Sequence, residues 1–451
     1  MRIHFIAIGG SAMHNLAIAL HKKGYQITGA DDVIFEPAKS RLEGYGLLPS
    51  KMGWDDSRIS PALDAVILGM HARIDNPELI KAQALGLKIF SYPEYIYEQS
   101  KNKLRVVIGG SHGKTTITSM ILHVLNYYNR EFDYLVGAQL AGFETMVKVT
   151  EDAPIMIIEG DEYLSSPIDR RPKFHLYKAN VAVISGIAWD HINVFPTYAD
   201  YTAQFDQFID TITADGTLIY CQEDRDLNDI VTRSTARVNK LSYGIPEHEI
   251  VHGVTYLLPQ GTPLKVFGDH NLMNLNAARL VCETLGIMQT EFDAAITSFT
   301  GAAKRLEVIS ADESTNVYKD FAHSPSKLKA TIDAVRSQFT NRKLIACIEL
   351  HTFSSLNKDF LKEYAGAMDQ ADDAIVFIDL KSFELKSMVP FSEEDVRTAF
   401  ANPKLKFFND SNSLKKYLLN LNYKNANLLM MSSGNYAGFD LPELAAALER
   451  N

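Results

Sequence analysis

Short apolar runs alternate along the chain with longer segments in which apolar residues recur every three or four positions. The first pattern is typical of buried strands and the second of amphipathic helices. The clearest pair is a predicted strand at residues 106–108 and the helix after it, whose apolar stripe consists of Ile117, Met120, Ile121, Val124 and Leu125. Strands that alternate with helices in this way predict an α/β fold.

The pattern divides into three domains, the number expected for a chain of 451 residues. Residues 1–103 predict a small Rossmann-like domain that ends at a polar boundary. Residues 104–303 predict a central domain with a parallel sheet of the P-loop ATPase type. Residues 304–451 follow a glycine hinge and predict a second Rossmann-like domain, because strands and helices alternate again.

The turn between the strand at 106–108 and its helix carries the most specific chemistry. It consists of Gly110, Ser111, His112, Gly113, Lys114, Thr115 and Thr116. Bare glycine backbone at a helix N-terminus can wrap a phosphate. Lys114 would then reach the outer phosphates of ATP, and the Thr115 hydroxyl would ligate Mg²⁺. The Walker spacing calls for glycine at position 108, where this chain has Ile108, so the loop is a shortened variant.

Two later strand ends supply candidate metal ligands. Glu159 closes the predicted strand at 154–159, in the position of the Walker B acid that carries a carboxylate to the metal. His191 follows the strand at 181–185 and is a third candidate, although histidine is an uncommon ligand of Mg²⁺. The alternatives are a solvated acidic turn for Glu159 and a structural histidine for His191.

A second glycine turn lies near the N-terminus. Gly9, Gly10 and Ser11 follow the first predicted strand, and Asp31 stands past the end of the second. A glycine turn with an acid about twenty residues later is a dinucleotide fingerprint, here degraded by alanine at positions 7 and 12. We therefore expect a nucleotide at these strand ends; a plain βαβ unit without a ligand is the alternative.

Composition limits the remaining possibilities. The net charge is −10 and no basic block offsets it, which argues against nucleic-acid binding. Cys221, Cys282 and Cys347 are far apart and show neither metal spacing nor a disulfide framework. No apolar run approaches the length of a membrane span, so membrane insertion is not expected. We expect a cytoplasmic protein that is a monomer or a homodimer.

Together the motifs resemble the Mur ligase family, the ATP-dependent ligases of peptidoglycan precursors, over essentially the whole chain. They occur in the family's order: Gly110-Ser-His-Gly-Lys-Thr-Thr116, Glu159-Gly-Asp-Glu162, Asp190-His191, Gly268-Asp-His-Asn271 with Asn274, Lys304-Arg305, and Asp320-Phe-Ala-His-Ser-Pro325. The resemblance implies that the first domain holds UDP-N-acetylmuramate, the middle domain ATP, and the last domain the incoming amino compound.

The resemblance also implies roles for single residues. Lys114, Glu159, His191 and Arg305 are the expected catalytic residues, with Mg²⁺ held by Thr115, Glu159 and His191. Beyond the phosphate loop, ATP is expected to contact Asn271 at adenine, Arg305 at the γ-phosphate and Asp320 at the ribose. The expected substrate contacts are Gly9, Gly10, Ser11, Asp31, His71, His323, His351 and Asn435.

Two branches of the family load the first residue onto UDP-N-acetylmuramate, and the opening His4-Phe-Ile-Ala-Ile-Gly-Gly10 resembles both. One adds L-alanine; the other adds the preformed tripeptide L-Ala-γ-D-Glu-meso-diaminopimelate during recycling. Thr28-Gly-Ala-Asp31, Ser91-Tyr-Pro-Glu94 and Asp169-Arg-Arg-Pro-Lys-Phe174 resemble the recycling branch more closely. At Glu349-Leu-His351-Thr the chain departs from that branch, which carries an arginine there.

No lysine lies between Lys178 and Lys240, the region in which several Mur ligases carbamylate a lysine. The Tyr201-Thr-Ala-Gln-Phe205 stretch found there resembles both loading branches. Two readings from other classes stay open: an NAD-dependent oxidoreductase that uses the first domain, with the phosphate loop as a regulatory site, and a catalytically silent nucleotide-binding protein.

Overall fold

The computed structural model describes residues 1–140, 142–189, 194–302 and 305–448. The chain forms two compact units. One comprises Met1–Gly244 and Met273–Ala295, and the other Ile245–Leu272 and Ile296–Asn451. Within the described ranges, every helix is too short or too polar to cross a membrane.

The first sheet of the first unit has four parallel strands. Its elements are β1 (Arg2–Ile6), α1 (Ser11–Lys22), β2 (Gln26–Ala30), α2 (Ala38–Gly44), β3 (Ala65–Leu68), α3 (Pro77–Ala84), β4 (Ile89–Ser91) and α4 (Tyr92–Ser100). The strand order is β2-β1-β3-β4. β1 is central, so the loops that follow β1 and β3 meet at the carboxyl edge of the sheet, where nucleotides bind in such folds.

Local chemistry explains where these helices begin. At α3, the Asn76 side chain accepts from the backbone N–H of Glu78 at 2.9 Å, and Pro77 takes the first helical position. At α4, Ser91 and Glu94 form a reciprocal capping box. Both arrangements satisfy N–H groups that have no partner within the helix.

The central sheet belongs to the same unit and has seven strands. Its elements are β5 (Leu104–Gly109), α5 (Lys114–Tyr127), β6 (Asp133–Leu135), β7 (Val147–Lys148), β8 (Ile155–Glu159), α6 (Lys173–Leu176), β9 (Val181–Ile184), α7 (Tyr198–Asp210), β10 (Thr217–Cys221), α8 (Arg225–Arg233) and β11 (Asn239–Tyr243). The order is β11-β10-β9-β5-β8-β6-β7, and only β7 runs antiparallel to its neighbour. The carboxyl ends of β5, β8 and β9 therefore lie side by side.

The second unit contains a six-stranded sheet and a small antiparallel meander. The meander consists of β12 (His248–Val251), β13 (Val254–Leu257) and β14 (Thr262–Leu264). It was not predicted, because β12 is mostly exposed and carries no clear apolar pattern. Helices α9 (Asp269–Thr284) and α10 (Gln289–Ile296) follow in the chain, and their residues Met273–Ala295 belong to the first unit.

The six-stranded sheet has the order β15-β16-β20-β17-β18-β19, in which only β15 is antiparallel. Its elements are β15 (Glu307–Ala311), β16 (Thr315–Asp320), α11 (Pro325–Gln338), β17 (Lys343–Glu349), α12 (Lys358–Leu361), β18 (Asp373–Phe377), α13 (Lys381–Lys386), α14 (Glu393–Ala399), β19 (Lys406–Phe408), α15 (Ser411–Leu419), β20 (Ala426–Met431) and α16 (Leu441–Leu448). Apolar clusters cover both of its faces. The predicted α/β class with parallel sheets is confirmed.

Candidate functional site

The phosphate loop joins β5 to α5, as predicted. Gly110 and Gly113 have φ of +115° and +79°, a region in which side chains are strained. A Cβ at Gly110 would clash with Oγ of Ser185, and one at Gly113 would clash with Oδ1 of Asn274. The loop therefore passes so close to two neighbours that only glycine fits at these positions.

Lys114 begins α5, and polar atoms surround its ammonium group. Nζ donates to the carbonyl of Gly110 at 2.6 Å and to Oε2 of Glu162 at 2.8 Å. Burial is the largest single influence on the Lys114 pKa and lowers it. The carboxylates of Glu162, Asp161 and Glu159 together outweigh burial and raise the pKa above the ordinary lysine value. Lys114 thus carries its positive charge inside the loop.

Thr115 and Glu159 are in direct contact. The Thr115 hydroxyl donates to Oε1 of Glu159 at 2.7 Å, and the backbone N–H of Gly137 donates to Oε2 at 2.8 Å. Hydroxyl and carboxylate oxygens are the donors that Mg²⁺ prefers, and this ion usually completes its shell with waters and phosphate oxygens. The pair fits such an ion. The described residues hold no cluster of three or more His, Cys, Asp or Glu side chains suited to a metal.

The other predicted loop residues lie where expected. Ser111 Oγ accepts from the backbone N–H of Ala188 at 2.8 Å. His112 Nδ1 lies 2.7 Å from the carbonyl of Ser111, and Thr116 is buried in the first turn of α5. His191, the third predicted metal ligand, lies outside the described residues.

Two residues of this site were not predicted from sequence. Glu162 is 1% exposed and binds Lys114, and Tyr201 from α7 is fully buried with its hydroxyl 3.2 Å from Oε1 of Glu162. An acid three residues after the Walker B position was a weak signal for Glu162. Tyr201 had been noted only as part of a stretch that resembles the loading branches, and it was given no role, because an aromatic residue on the apolar face of a helix is normally core.

The N-terminal glycine turn is built differently. The backbone N–H of Gly9 donates to Oδ2 of Asp31 at 2.7 Å, so the turn and the acid are in direct contact. Burial raises the pKa of Asp31 to about 6, although the bond from Gly9 opposes the rise. Gly10 precedes α1, which begins at the exposed Ser11, and His71 is exposed in the loop after β3.

Four predicted residues of the second unit lie near the start of α9 and the end of β16. Asp320 is buried and accepts from the backbone N–H groups of Leu306 at 2.6 Å and Ala322 at 2.7 Å. The Arg305 guanidinium lies 4.6 Å from the centre of the Phe321 ring. His323 Nδ1 lies 2.9 Å from the Phe321 carbonyl, and the Asn271 amide donates to the carbonyl of Phe267 at 2.9 Å.

His351 and Asn435 belong to the loops after β17 and β20. His351 Nε2 lies 3.2 Å from Oγ of Ser433. Burial lowers the pKa of His351, Glu349 opposes that effect, and Lys386 adds to it. Glu349 is buried and accepts from the Ser432 hydroxyl and from the backbone N–H of Tyr436. Asn435 is exposed between these two partners. Polar groups from two neighbouring strand ends thus converge here.

Comparison with known families identifies three successive stretches. Residues 2–103 match the catalytic domain model of the Mur ligase family, residues 108–282 the Mur ligase middle domain, and residues 304–434 the Mur ligase glutamate ligase domain. A UDP-N-acetylmuramate–L-alanine ligase of Sulfurihydrogenibium sp. (strain YO3AOP1) is 30% identical over 386 residues, which cover 83% of this chain and 82% of the relative. The corresponding ligase of Paenarthrobacter aurescens is 29% identical with similar coverage.

Solved structures share the fold over the full length. A murein peptide ligase from Psychrobacter arcticus has a TM-score of 0.62 at 22% identity and covers 100% of this chain and 99% of its own. A UDP-N-acetylmuramate–alanine ligase from Thermotoga maritima has a TM-score of 0.68 at 19% identity, with 100% and 98% covered. The three-domain α/β fold of these enzymes is the fold of this chain. The chain belongs to the Mur ligase family, the ATP-dependent amide ligases that build peptidoglycan precursors.

Proposed function

We propose that the chain uses ATP to join the tripeptide L-Ala-γ-D-Glu-meso-diaminopimelate to UDP-N-acetylmuramate in the recycling of cell-wall peptides. The observation that carries the chemistry is the Lys114 ammonium, held between the Gly110 carbonyl and Glu162 beside the Thr115–Glu159 pair. This arrangement suits phosphoryl transfer, in which positioning and charge neutralisation supply most of the catalysis.

In the first step, an oxygen of the lactyl carboxylate attacks the γ-phosphorus of ATP, and the bond to the β-phosphate oxygen breaks. The products are an acyl phosphate and ADP. In the second step, the amine of the tripeptide attacks the acyl carbon, the tetrahedral intermediate expels phosphate, and the amine loses a proton. Lys114 neutralises charge on the β- and γ-phosphates.

The remaining assignments belong to the same proposal. Thr115, Glu159 and His191 would hold Mg²⁺, which supplies further charge neutralisation at the phosphates when bound. The roles stated above for Asn271, Arg305 and Asp320 are retained. Residues 1–103 are assigned to the UDP-sugar, 104–303 to ATP and 304–451 to the acceptor. Because ATP and nucleotide sugars are made in the cytoplasm, we assign the enzyme to that compartment.

The acceptor is supported by the stretches that resemble the recycling branch. The second candidate is the addition of free L-alanine, favoured by the names of the relatives that are 29–30% identical to this chain. The two proposals assign different contacts to the loops at His351 and Asn435, because the tripeptide has additional carboxylates and a second ammonium group that free alanine does not have.

A phosphate-release assay separates the candidates. The enzyme receives UDP-N-acetylmuramate, ATP and Mg²⁺ with either the tripeptide or free L-alanine, and product mass confirms the amide. We expect turnover with the tripeptide at least about tenfold faster in kcat/KM, the discrimination that a lost set of polar contacts produces. Faster turnover with alanine would replace our choice by the second candidate. ATP binding without turnover on either acceptor would indicate a silent nucleotide-binding protein.

A further inference from the structure

The hydroxyl of Tyr201 occupies an unusual place for a core aromatic residue. Its ring is fully buried against Phe195 and Phe205, at centroid distances of 5.6 and 5.3 Å. Its hydroxyl lies 2.8 Å from Oγ of Ser111 in the phosphate loop and 3.2 Å from Oε1 of Glu162. The side chain therefore connects α7 to the loop and to the acid that binds Lys114.

The direction of these hydrogen bonds follows from what each group can do. A carboxylate only accepts, so the Tyr201 hydroxyl donates to Glu162. The Tyr201 proton is then used, so the Ser111 hydroxyl donates to Tyr201. Ser111 Oγ in turn accepts from the backbone N–H of Ala188. The result is a directed chain from Ala188 through Ser111 and Tyr201 to Glu162, in which each bond polarises the next.

This chain ends on the carboxylate that orients Lys114. An ammonium group has three protons. Two of those on Lys114 point to the Gly110 carbonyl and to Oε2 of Glu162. Tyr201 holds Oε1 of Glu162 and Lys114 holds Oε2, so the plane of the Glu162 carboxylate is fixed. The third ammonium proton then has one direction left, which is available to a phosphate oxygen.

We propose that Tyr201 is a positioning residue for phosphoryl transfer, acting through Glu162 to orient the Lys114 ammonium. The proposal rests on the phosphate role assigned to Lys114 in the proposed function. It does not depend on which acceptor the enzyme uses. The proposal assigns Tyr201 contacts with Ser111 and Glu162 and no contact with the reacting atoms.

A misdirected ammonium still attracts ATP, because Coulomb attraction has little angular dependence. A misdirected ammonium is less effective at stabilising the negative charge that moves during phosphoryl transfer. A displacement of about 1 Å can lower the rate of that step by up to a hundredfold. Loss of the Tyr201 hydroxyl should therefore lower kcat more than it raises KM for ATP. If Tyr201 had only a structural role, the loss of its hydroxyl would lower stability and leave kcat relative to KM for ATP unchanged.

The first test is Tyr201→Phe, assayed by phosphate release with the acceptor that the unmodified enzyme uses. We expect kcat to fall about tenfold, and KM for ATP and the Kd for ADP to change less than about threefold. The control is Tyr423→Phe in the second unit, which removes a single buried hydroxyl bond, to the Leu418 carbonyl at 2.9 Å, whereas Tyr201→Phe removes two. Both variants should remain folded, but only Tyr201→Phe should lose kcat. An unchanged kcat in Tyr201→Phe overturns the proposal.

The second test asks whether Tyr201 acts through Glu162. Glu162→Gln should lower kcat by about tenfold or more, and the double variant Tyr201→Phe/Glu162→Gln should match the single Glu162→Gln within about threefold, because both changes break one unit. A double variant in which the two losses multiply would show that Tyr201 acts independently. Should Tyr201→Phe fold poorly, Ser111→Ala removes the bond that Ser111 donates to Tyr201 and keeps the ring and its bond to Glu162. Because Ser111 also belongs to the phosphate loop, kcat is compared relative to KM for ATP, and an unchanged kcat overturns the proposal.

Lys114→Ala separates this inference from the proposed function. If that variant retains turnover, the phosphate role of Lys114 is wrong. If it is inactive while Tyr201→Phe is fully active, only the positioning role of Tyr201 fails.

Discussion

The first unit contains two strand–glycine turn–helix segments that look alike in sequence and differ in chemistry. After β1, the Gly9 N–H donates to the Asp31 carboxylate. After β5, the loop instead ends in Lys114, which faces Glu162. One turn therefore presents an acid whose pKa is raised by burial, and the other presents a cation. The shared geometry offers N–H groups to a ligand in both cases, and the charged partner decides which part of a nucleotide each turn suits.

The glycines differ as well. Gly113 has φ of +79° and lies against Asn274, whereas Gly10 has φ of −57° and would place a Cβ no closer than 3.4 Å to Met13. The phosphate loop is thus closely packed and intolerant of side chains, and the N-terminal turn is open at Gly10. Substitutions at matched positions test how far this contrast extends.

The largest effect is expected for Lys114→Ala. Loss of the loop cation should reduce turnover by at least about a thousandfold, since nothing else in the described loop neutralises the outer phosphates. The protein should remain folded by circular dichroism, because Tyr201 still donates to Glu162. Lys101→Ala, which removes an exposed lysine paired with Glu98, is the control and should behave as the unmodified enzyme. Near-normal turnover in Lys114→Ala would contradict the assignment of the site.

The next effect contrasts Gly113→Ala with Gly10→Ala. The first forces a side chain into a left-handed backbone against Asn274 and should cost about 1–3 kcal/mol of stability and raise KM for ATP at least tenfold. The second should change stability by less than about 0.5 kcal/mol, because space and backbone both permit alanine. Thermal unfolding and ATP kinetics measure both. Equal destabilisation by the two variants would remove the contrast between the turns.

A smaller and more selective effect is expected for Asp31→Ala. The Gly9 N–H loses its acceptor and the proposed UDP-sugar site loses its acid, so KM for UDP-N-acetylmuramate should rise about tenfold. KM for ATP should change less than twofold. The exposed neighbour Asp32 provides the control through Asp32→Ala. If Asp31→Ala raises KM for ATP as much as KM for UDP-N-acetylmuramate, the proposal that each turn binds a different nucleotide is wrong.

The last prediction concerns pH. The folded-state pKa of Asp31 is about 6, above its unfolded value near 4, so the folded protein binds more protons between these pH values. The contribution of Asp31 to stability is therefore full below pH 4 and falls as the pH rises through 6, by at most about 2–3 kcal/mol. Relative to Asp31→Asn, the unmodified protein should lose denaturant stability between pH 4.5 and 7. A difference in stability between the two proteins that stays constant from pH 4.5 to 7 would show that burial does not raise the pKa of Asp31.

Sequence patterns predicted the parts of the fold and of the site that depend on neighbouring residues. The phosphate loop is contiguous, and its glycines, Lys114 and Thr115 could be assigned from order alone. Glu159 was selected because it closes an apolar strand in the manner of a Walker B acid, and its role as a metal ligand stays a prediction. In the structure β8 pairs with β5, and Glu159 accepts from the Thr115 hydroxyl. The predicted strand at 154–159 corresponds to β8, which begins one residue later, and the predicted strand at 181–185 corresponds to β9, which ends one residue earlier.

Features that depend on distant contacts were missed. The antiparallel meander has too little apolar alternation to be recognised. The Asn271 amide donates to the carbonyl of Phe267 in this structure, and its expected role at adenine stays a prediction. The part played by Gly137 in binding Glu159 became visible only when β6 was seen beside β8.

By itself, then, the sequence determined the α/β class, the three successive domains, the family and the phosphate loop, because these follow from local periodicity and from motifs of adjacent residues. Only the tertiary structure decided that Glu162 binds Lys114 and that Tyr201 closes the hydrogen-bond chain on Glu162. Those residues are 48 and 39 positions from their partners, and their contacts exist only because strand order and the packing of α7 bring them together. The positive charge of Lys114 could be predicted from the sequence. The orientation of its ammonium group depends on Glu162 and Tyr201, which only the fold brings together.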